Sequence, residues 1–239
     1  MYLICLSQLW WWLFCWRIPT TCKKYAKKNF ISIHKPPASI RFAPIKHALA
    51  VTVEPFKFSS RQGGVAYELS YKEIDHRLDR LISSLGIAGQ DLLSNHKPII
   101  VNTGNSFSVV PLKDETAVLR ANPDFEAIQR ISEEFDLIGY YIFFQHTKVP
   151  ARDAGTRMFA PFYGINEESA TGMAAGPLAC YLYDKIGLDK NVFLIEQGHF
   201  MKPPSPSVIT VKLNLEDRKI TGLMAGGKAK VMESLIISI

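Results

Sequence analysis

The run from Gly172 to Ile186 constrains this chain more than any other segment. Met173, Ala174, Ala175, Leu178, Ala179, Cys180, Tyr181 and Leu182 fall inside it, and at helical spacing they cover most of a helix's circumference. A helix apolar nearly all round has no face to give to water, so it must be buried on every side. Apolar or alternating runs surround it in sequence. Segments 97–102, 106–112, 137–145, 157–160, 192–196, 207–213, 219–225 and 228–237 read as strands, with Gly226-Gly227 as a hairpin turn between the last two. That many strands around one buried helix imply an α+β fold in which sheet wraps helix. Elsewhere Ile74, Leu78, Leu81, Ile82 and Leu85 predict a helix over 71–85 with Gly86 as its stop, and Asn122-Pro123-Asp124 opens another over 125–135. Segment 116–119 reads as a short strand, 146–156 as a polar linker and 162–171 as a loop.

A chain of 239 residues holds one large domain or two smaller ones, and its 47% hydrophobic and 21% charged content excludes a disordered protein. The net charge of +6 is unevenly placed. Residues 1–62 carry ten Lys and Arg against the single acid Glu54, a net +9, which leaves −3 from residue 63 onward. A nucleic-acid surface needs basic residues organised on one folded face with aromatics between them. The cluster at Lys23, Lys24, Lys27 and Lys28 reads instead as a solvated segment, so no nucleic-acid partner is expected. All four tryptophans lie within the first 16 residues, and three of the four cysteines within the first 22. Cysteines so clustered do not make a disulfide framework, which points to a reducing compartment and a cytoplasmic protein. Residues 3–16 resemble a secretory apolar region but lack its basic start and small-residue cleavage site. They are also shorter than the ~20 apolar residues of a membrane span; a targeting segment, a membrane anchor and an aberrant start all stay open for this stretch, and no membrane partner is expected.

The segment Glu167-Glu168-Ser169-Ala170-Thr171-Gly172-Met173-Ala174-Ala175-Gly176 is the one most suited to chemistry. The first amides of a helix have no internal partner, and the helix dipole adds partial positive charge there. Small residues let a carboxylate or phosphate approach those amides closely. A carboxylate just upstream can hold a cationic group or handle a proton. Two readings fit these residues, and the residues alone favour the first. In one, Thr171 only caps a core helix beside two ordinary surface acids; in the other, the turn binds a ligand. No cluster of His, Cys and acids has metal-ligand spacing, so no metal is expected.

Several spaced motifs resemble those of the PhzF-like phenazine biosynthesis family. Arg157-Met158-Phe159-Ala160-Pro161 and Glu167 through Gly176 match its Phe-Pro strand end and Glu-Asp-Pro-Ala-Thr-Gly-Ser-Ala-Ala-Gly run. Glu196-Gln197-Gly198-His199-Phe200-Met201 resembles its Glu-Gln-Gly-x-x-Met, and Pro204-Ser205 the end of its Gly-Arg-Pro-Ser. Gly226-Gly227-Lys228-Ala229 stands where the family has a Gly-Gly-x-Ala hairpin, and Thr103-Gly104 with 107–112 is similar to an upstream strand motif. The resemblance covers about 99–231. It implies a diaminopimelate-epimerase-like fold: two pseudo-symmetric halves, each a mixed sheet curled round a central helix, here with the first half incomplete. On that reading 1–62 is a divergent or aberrant remnant of the first half, and 63–239 is the second half with its central helix at about 172–186.

The resemblance further implies an isomerase or epimerase that moves a proton on a small carboxylated, cyclic amino-acid-like metabolite without a cofactor, working as a homodimer. Glu168 and His47 become the candidate catalytic residues, and Thr171, Gly172 and Met173 the candidate substrate-binding ones. The sequence departs from the family at Glu168 for Asp, Ser169 for Pro, Met173 for Ser, and Lys202-Pro203 for Gly-Arg. In the first half, 25–30 and 40–44 resemble a helix and a strand of the family, and His47-Ala48 its Gly-His-Ala turn, but no glutamate precedes Glu54. A frame-shifted start of about 35 residues would account for that and for the local Trp, Cys and Lys enrichment. The alternative function is a degenerate relative that keeps the fold and only binds a ligand or a protein. Cys180, two turns inside the helix, is expected in the core.

Overall fold

A computed structural model describes residues 50–52, 56–57, 69–74 and 77–230 of the chain. Its twelve strands are β1 (Ala50–Thr52), β2 (Phe56–Lys57), β3 (Ser70–Glu73), β4 (Ile99–Asn102), β5 (Ser106–Pro111), β6 (Gly139–Phe144), β7 (Ala154–Ala160), β8 (Ile165–Glu168), β9 (Val192–Gln197), β10 (Ser207–Glu216), β11 (Lys219–Gly226) and β12 (Lys228–Lys230). The helices are α1 (Leu78–Ser84), α2 (Glu115–Arg120), α3 (Phe125–Phe135) and α4 (Gly172–Asp184).

Ten strands form one mixed sheet in the order β2-β11-β10-β9-β7-β6-β5-β4-β3, with β8 branching from β7. Pairing is parallel between β5 and β6 and between β7 and β9, and antiparallel elsewhere. Helix α4 packs against β10 and β11 near one end of this order and against β4 and β5 near the other. One helix can touch both only if the sheet curls round it. The sequence reason is the circumference already noted: Ala174 through Leu182 are all buried. The Tyr71 hydroxyl of edge strand β3 donates to the Asp184 carboxylate and to the Cys180 carbonyl, tying the sheet's last strand to the end of α4. Helices α1, α2 and α3 cover the other face, over Ile100, Val110, Tyr140, Ile142 and Phe144. The α+β class and the sheet curled round a central helix therefore stand.

Several local expectations need correction. The periodic run at 71–85 is a helix only from Leu78; Tyr71 through Glu73 extend β3, because their backbone pairs with β4 in the register Tyr71 to Val101. Segment 116–119 is helical. The Asp114 side chain accepts from the Ala117 amide at 2.7 Å and nucleates α2, overriding the strand tendency of Thr116 and Val118. The linker at 146–156 gives its last three residues to β7, and the loop at 162–171 contains β8. The central helix stops at Asp184 rather than 186. The hairpin lies at Asp217-Arg218, where both residues take positive φ (48° and 64°) and join β10 to β11 as a primed two-residue turn. At Gly226-Gly227 the chain instead leaves the main sheet, and β12 pairs with β1. The rest of 228–237 lies outside the described residues, as does most of 1–62. No helix among the described residues is long and apolar enough to cross a membrane.

Candidate functional site

The start of α4 is where the sequence placed its candidate residues, and the structure gathers Glu168, Thr171, Gly172 and Met173 there; His47 lies outside the described residues. Strand β8 ends at Glu168, and the short turn Ser169-Ala170-Thr171 leads directly into the helix. Thr171 does not cap it with its side chain. Its hydroxyl donates to Glu168 Oε2 at 2.6 Å instead. The helical bonds begin only with the Ala174 and Ala175 amides, which reach the Thr171 carbonyl at 3.2 and 3.0 Å. The Gly172 and Met173 amides precede any intrahelical acceptor. Both residues are exposed, Met173 by 52%, so the positive end of α4 opens to solvent. The space beside Gly172 is open: a Cβ there would meet only the Ala225 Cβ of β11, at an ordinary contact distance of 3.7 Å.

The two acids of the turn have different roles. Glu167 pairs face to face with Arg157 of β7, with Nε to Oε1 and Nη2 to Oε2 both at 2.9 Å. The remaining guanidinium nitrogen donates to the Val118 and Ala121 carbonyls at 3.2 and 2.9 Å, and so closes the end of α2. Glu167 thus fastens β8 and is no candidate for chemistry. Glu168, on the opposite face of β8 and 9% exposed, lies beside the helix start.

Behind the turn sits Gln197, the last residue of β9 and fully buried. Its oxygen accepts from the Tyr141 hydroxyl at 2.8 Å and from the Thr171 amide at 3.2 Å. Its NH₂ donates to the Glu168 carbonyl at 2.7 Å and to Thr171 Oγ1 at 3.1 Å. Thr156 stands 3.1 Å from the Tyr141 hydroxyl and donates to the Glu196 carbonyl at 2.8 Å. Ser207 donates to the Ser169 carbonyl at 2.6 Å. Gly198 follows with φ of +80°, and a Cβ there would fall 2.1 Å from the Ser205 carbonyl oxygen. Residue-type reasoning found Glu168 and Thr171 but missed Gln197, Tyr141, Thr156 and Ser207. The Glu-Gln-Gly motif pointed toward the first of these without showing its partners.

Burial lifts the Tyr141 phenol well above its ordinary value, with Glu168 adding to the lift against the opposing bond from Thr156, so it stays protonated. Burial likewise pushes the Cys180 thiol up to about 12, with Asp184 adding, which makes it core rather than nucleophile. His199 Nε2 lies 3.8 Å from Glu196 Oε2. Among the described residues no group of three or more His, Cys, Asp or Glu is arranged to hold a metal.

Comparison with known proteins agrees with this fold. The model of the phenazine biosynthesis-like protein family (PhzC-PhzF) matches residues 68–234, a span that contains the motifs read at 99–231. An uncharacterised isomerase of Clostridium acetobutylicum is 29% identical over 160 residues, covering 64% of this chain and 52% of that protein. An uncharacterised isomerase of Escherichia coli K12 is 25% identical over 154 residues, covering 64% and 51%. The chain therefore spans about half the length of these curated relatives. A PhzF-family protein of Bacillus anthracis superposes with a TM-score of 0.59 at 22% identity, over 70% of this chain and 58% of that one. A predicted epimerase of Pseudomonas aeruginosa gives 0.53 at 22% identity, over 72% and 56%. At that identity the likeness is one of fold.

Proposed function

Since the chain belongs to the phenazine biosynthesis-like family, we propose that it is an isomerase that shifts a proton on a small carboxylated, cyclic amino-acid-like metabolite. The observation that carries this is the open start of α4: two exposed amides without helical partners, beside a carboxylate fixed by Thr171. The Gly172 and Met173 amides bind the substrate carboxylate. Such a helix end favours an anion by ~0.3–2 kcal/mol. A carboxylate held there shares its charge with the amides, which eases removal of a proton from the neighbouring carbon. Glu168 takes or returns that proton, and His47 is its partner from the first half. The chain's own side chains supply both proton-transfer groups, so the reaction proceeds without a cofactor. Uncharacterised isomerases among the relatives support the reaction class.

The test is deuterium uptake from heavy water into a panel of cyclic amino acids (proline, pipecolate, aminocyclohexene carboxylates), followed by proton NMR with the full chain. Exchange next to the carboxylate in at least one of them, lowered about 100-fold by Glu168→Gln, is the expected result. Absence of exchange, or exchange that the substitution leaves unchanged, overturns the reading. Binding without exchange also overturns it and leaves a ligand-binding protein.

A further inference from the structure

Gln197 bonds at once to the strand before the turn, to the turn's backbone and to the turn's hydroxyl. A glutamine amide offers two acceptor sites and two protons, and all four are engaged. This saturation fixes which way the amide points. Turned over, its NH₂ would face the Thr171 amide and its oxygen would face the Glu168 carbonyl, two like-with-like contacts in a fully buried place.

The fixed amide then dictates the direction of the next bond. Thr171 Oγ1 receives a proton from Gln197 Nε2 at 3.1 Å, so its own single proton is directed to Glu168 Oε2 at 2.6 Å. We infer that Gln197 is a positioning residue. It aims the Thr171 hydroxyl at Glu168 and holds the Thr171 amide at the entry of α4, so it sets both halves of the anion-and-carboxylate arrangement from behind. Tyr141 anchors it from β6. The inference rests on the proposed function for the importance of Glu168, but its geometry stands apart from any substrate.

The test is therefore substrate-free. The full chain carries ¹³C-labelled glutamate, and the titration midpoint of the Glu168 side-chain carboxyl is read by NMR in wild type, Gln197→Glu, Thr171→Val and the double variant. In Gln197→Glu the Thr171 hydroxyl finds an acceptor behind it and turns away from Glu168, while the added charge acts whether or not that hydroxyl is present. Losing a donated bond raises a carboxyl's midpoint. The expected result is an upward shift for both single variants, with Gln197→Glu shifting the midpoint by at least half a unit less in the Thr171→Val background than alone. Equal shifts in both backgrounds overturn the inference, since charge alone would then explain them. Should Gln197→Glu fail to fold, Gln197→Met takes its place in the same cycle, its shift again having to shrink in the Thr171→Val background, with Thr171→Ser as the control. The valine variant must shift the midpoint and the serine variant must restore it, and no shift for valine overturns the inference. A null result in the deuterium experiment leaves this one readable.

Discussion

Tyr140 and Tyr141 follow one another in β6, both fully buried, and enter two differently built cores. Tyr141 faces α4, where its hydroxyl joins the Gln197 network. Tyr140 faces the layer of α1, α2 and α3, where its hydroxyl has no hydrogen-bond partner of ordinary geometry, like the buried hydroxyls of Ser108 and Ser132. Helix starts differ in the same sense. On the outer face Asp114 and Asp124 each close their own helix by accepting from the third amide, at 2.7 and 3.0 Å. On the inner face Thr171 turns its hydroxyl away and leaves the first amides of α4 open. Two of the three outer helices have their starts closed by an aspartate, α1 beginning after Arg77 without a side-chain cap, and this face tolerates a few idle hydroxyls; the inner face leaves the start of α4 unclosed beside a network of satisfied polar groups. The open start of α4, beside Glu168 and the Gln197 network, is the feature on which the proposed anion site rests.

The largest expected difference between the faces is at glycine. Gly198 and Gly86 both have positive φ, +80° and +62°. Alanine at Gly198 would place its Cβ 2.1 Å from the Ser205 carbonyl oxygen and 3.0 Å from that of Ser169, so the turn before α4 must move. At Gly86 the nearest atom is the Asn122 carbonyl oxygen at 2.7 Å, at a looser join between α1 and α3. Gly198→Ala should cost about 3 kcal/mol or more and Gly86→Ala about 1–2, measured by urea denaturation. A larger loss at Gly86 would break the contrast.

Much of this arrangement was legible in the sequence, for reasons that differ by element. Helix α4 was readable because its apolar residues leave no polar face, and α3 because Asp124 announces its start. Helix α2 was not, since six residues are too few for periodicity and its signal is one capping aspartate. The β10–β11 turn was missed because Asp217 and Arg218 adopt left-handed backbone that glycines usually supply. The fate of Gly226-Gly227 depends on β1, far away in the chain, which no local pattern encodes. In the site, Glu168 and Thr171 could be named from helix-start chemistry alone. Gln197 could not, because its partners come from β6 and from the turn after β8, and only the folded sheet brings them together.

Charge provides the next contrast. On the outer face, buried Asp91 accepts from the Ala88 amide at 3.1 Å and pairs with Arg120 at 2.5 Å and Lys113 at 3.2 Å. The Ala88 bond, then Lys113 and Arg120, hold its carboxyl below the ordinary value of 3.8 against the effect of burial. A carboxyl lower in the folded than in the unfolded state stabilises the fold above its unfolded value, and that contribution is lost as pH falls through the folded one. Asp91→Asn should therefore lower stability by about 1–2 kcal/mol at neutral pH. The gap to wild type should shrink as pH falls below the unfolded value, about 4, because from there the unfolded chain takes up the proton first. Thermal melts at pH 7, 5 and 3 check this, and a gap that widens toward acid would contradict the sign.

The finest test returns to the adjacent tyrosines. Tyr141→Phe removes one of two donors to the Gln197 oxygen and leaves that buried acceptor partly unsatisfied, at a cost of about 1–1.5 kcal/mol. Its effect should reach the site, because the freed amide can tilt and carry Thr171 with it. The Thr171 and Gly172 amide resonances should therefore shift. Tyr140→Phe removes a hydroxyl that makes no hydrogen bond of ordinary geometry and whose polar neighbour is Ser84, itself donating to the Leu81 carbonyl at 2.7 Å. It should be neutral or slightly stabilising, within about 0.5 kcal/mol, and should leave the α4 resonances in place. The two substitutions delete the same atom from neighbouring positions of equal burial, so area and volume cancel between them. What remains is the difference in hydrogen bonding between the faces. Equal losses would mean that the inner network is only as constraining as ordinary packing.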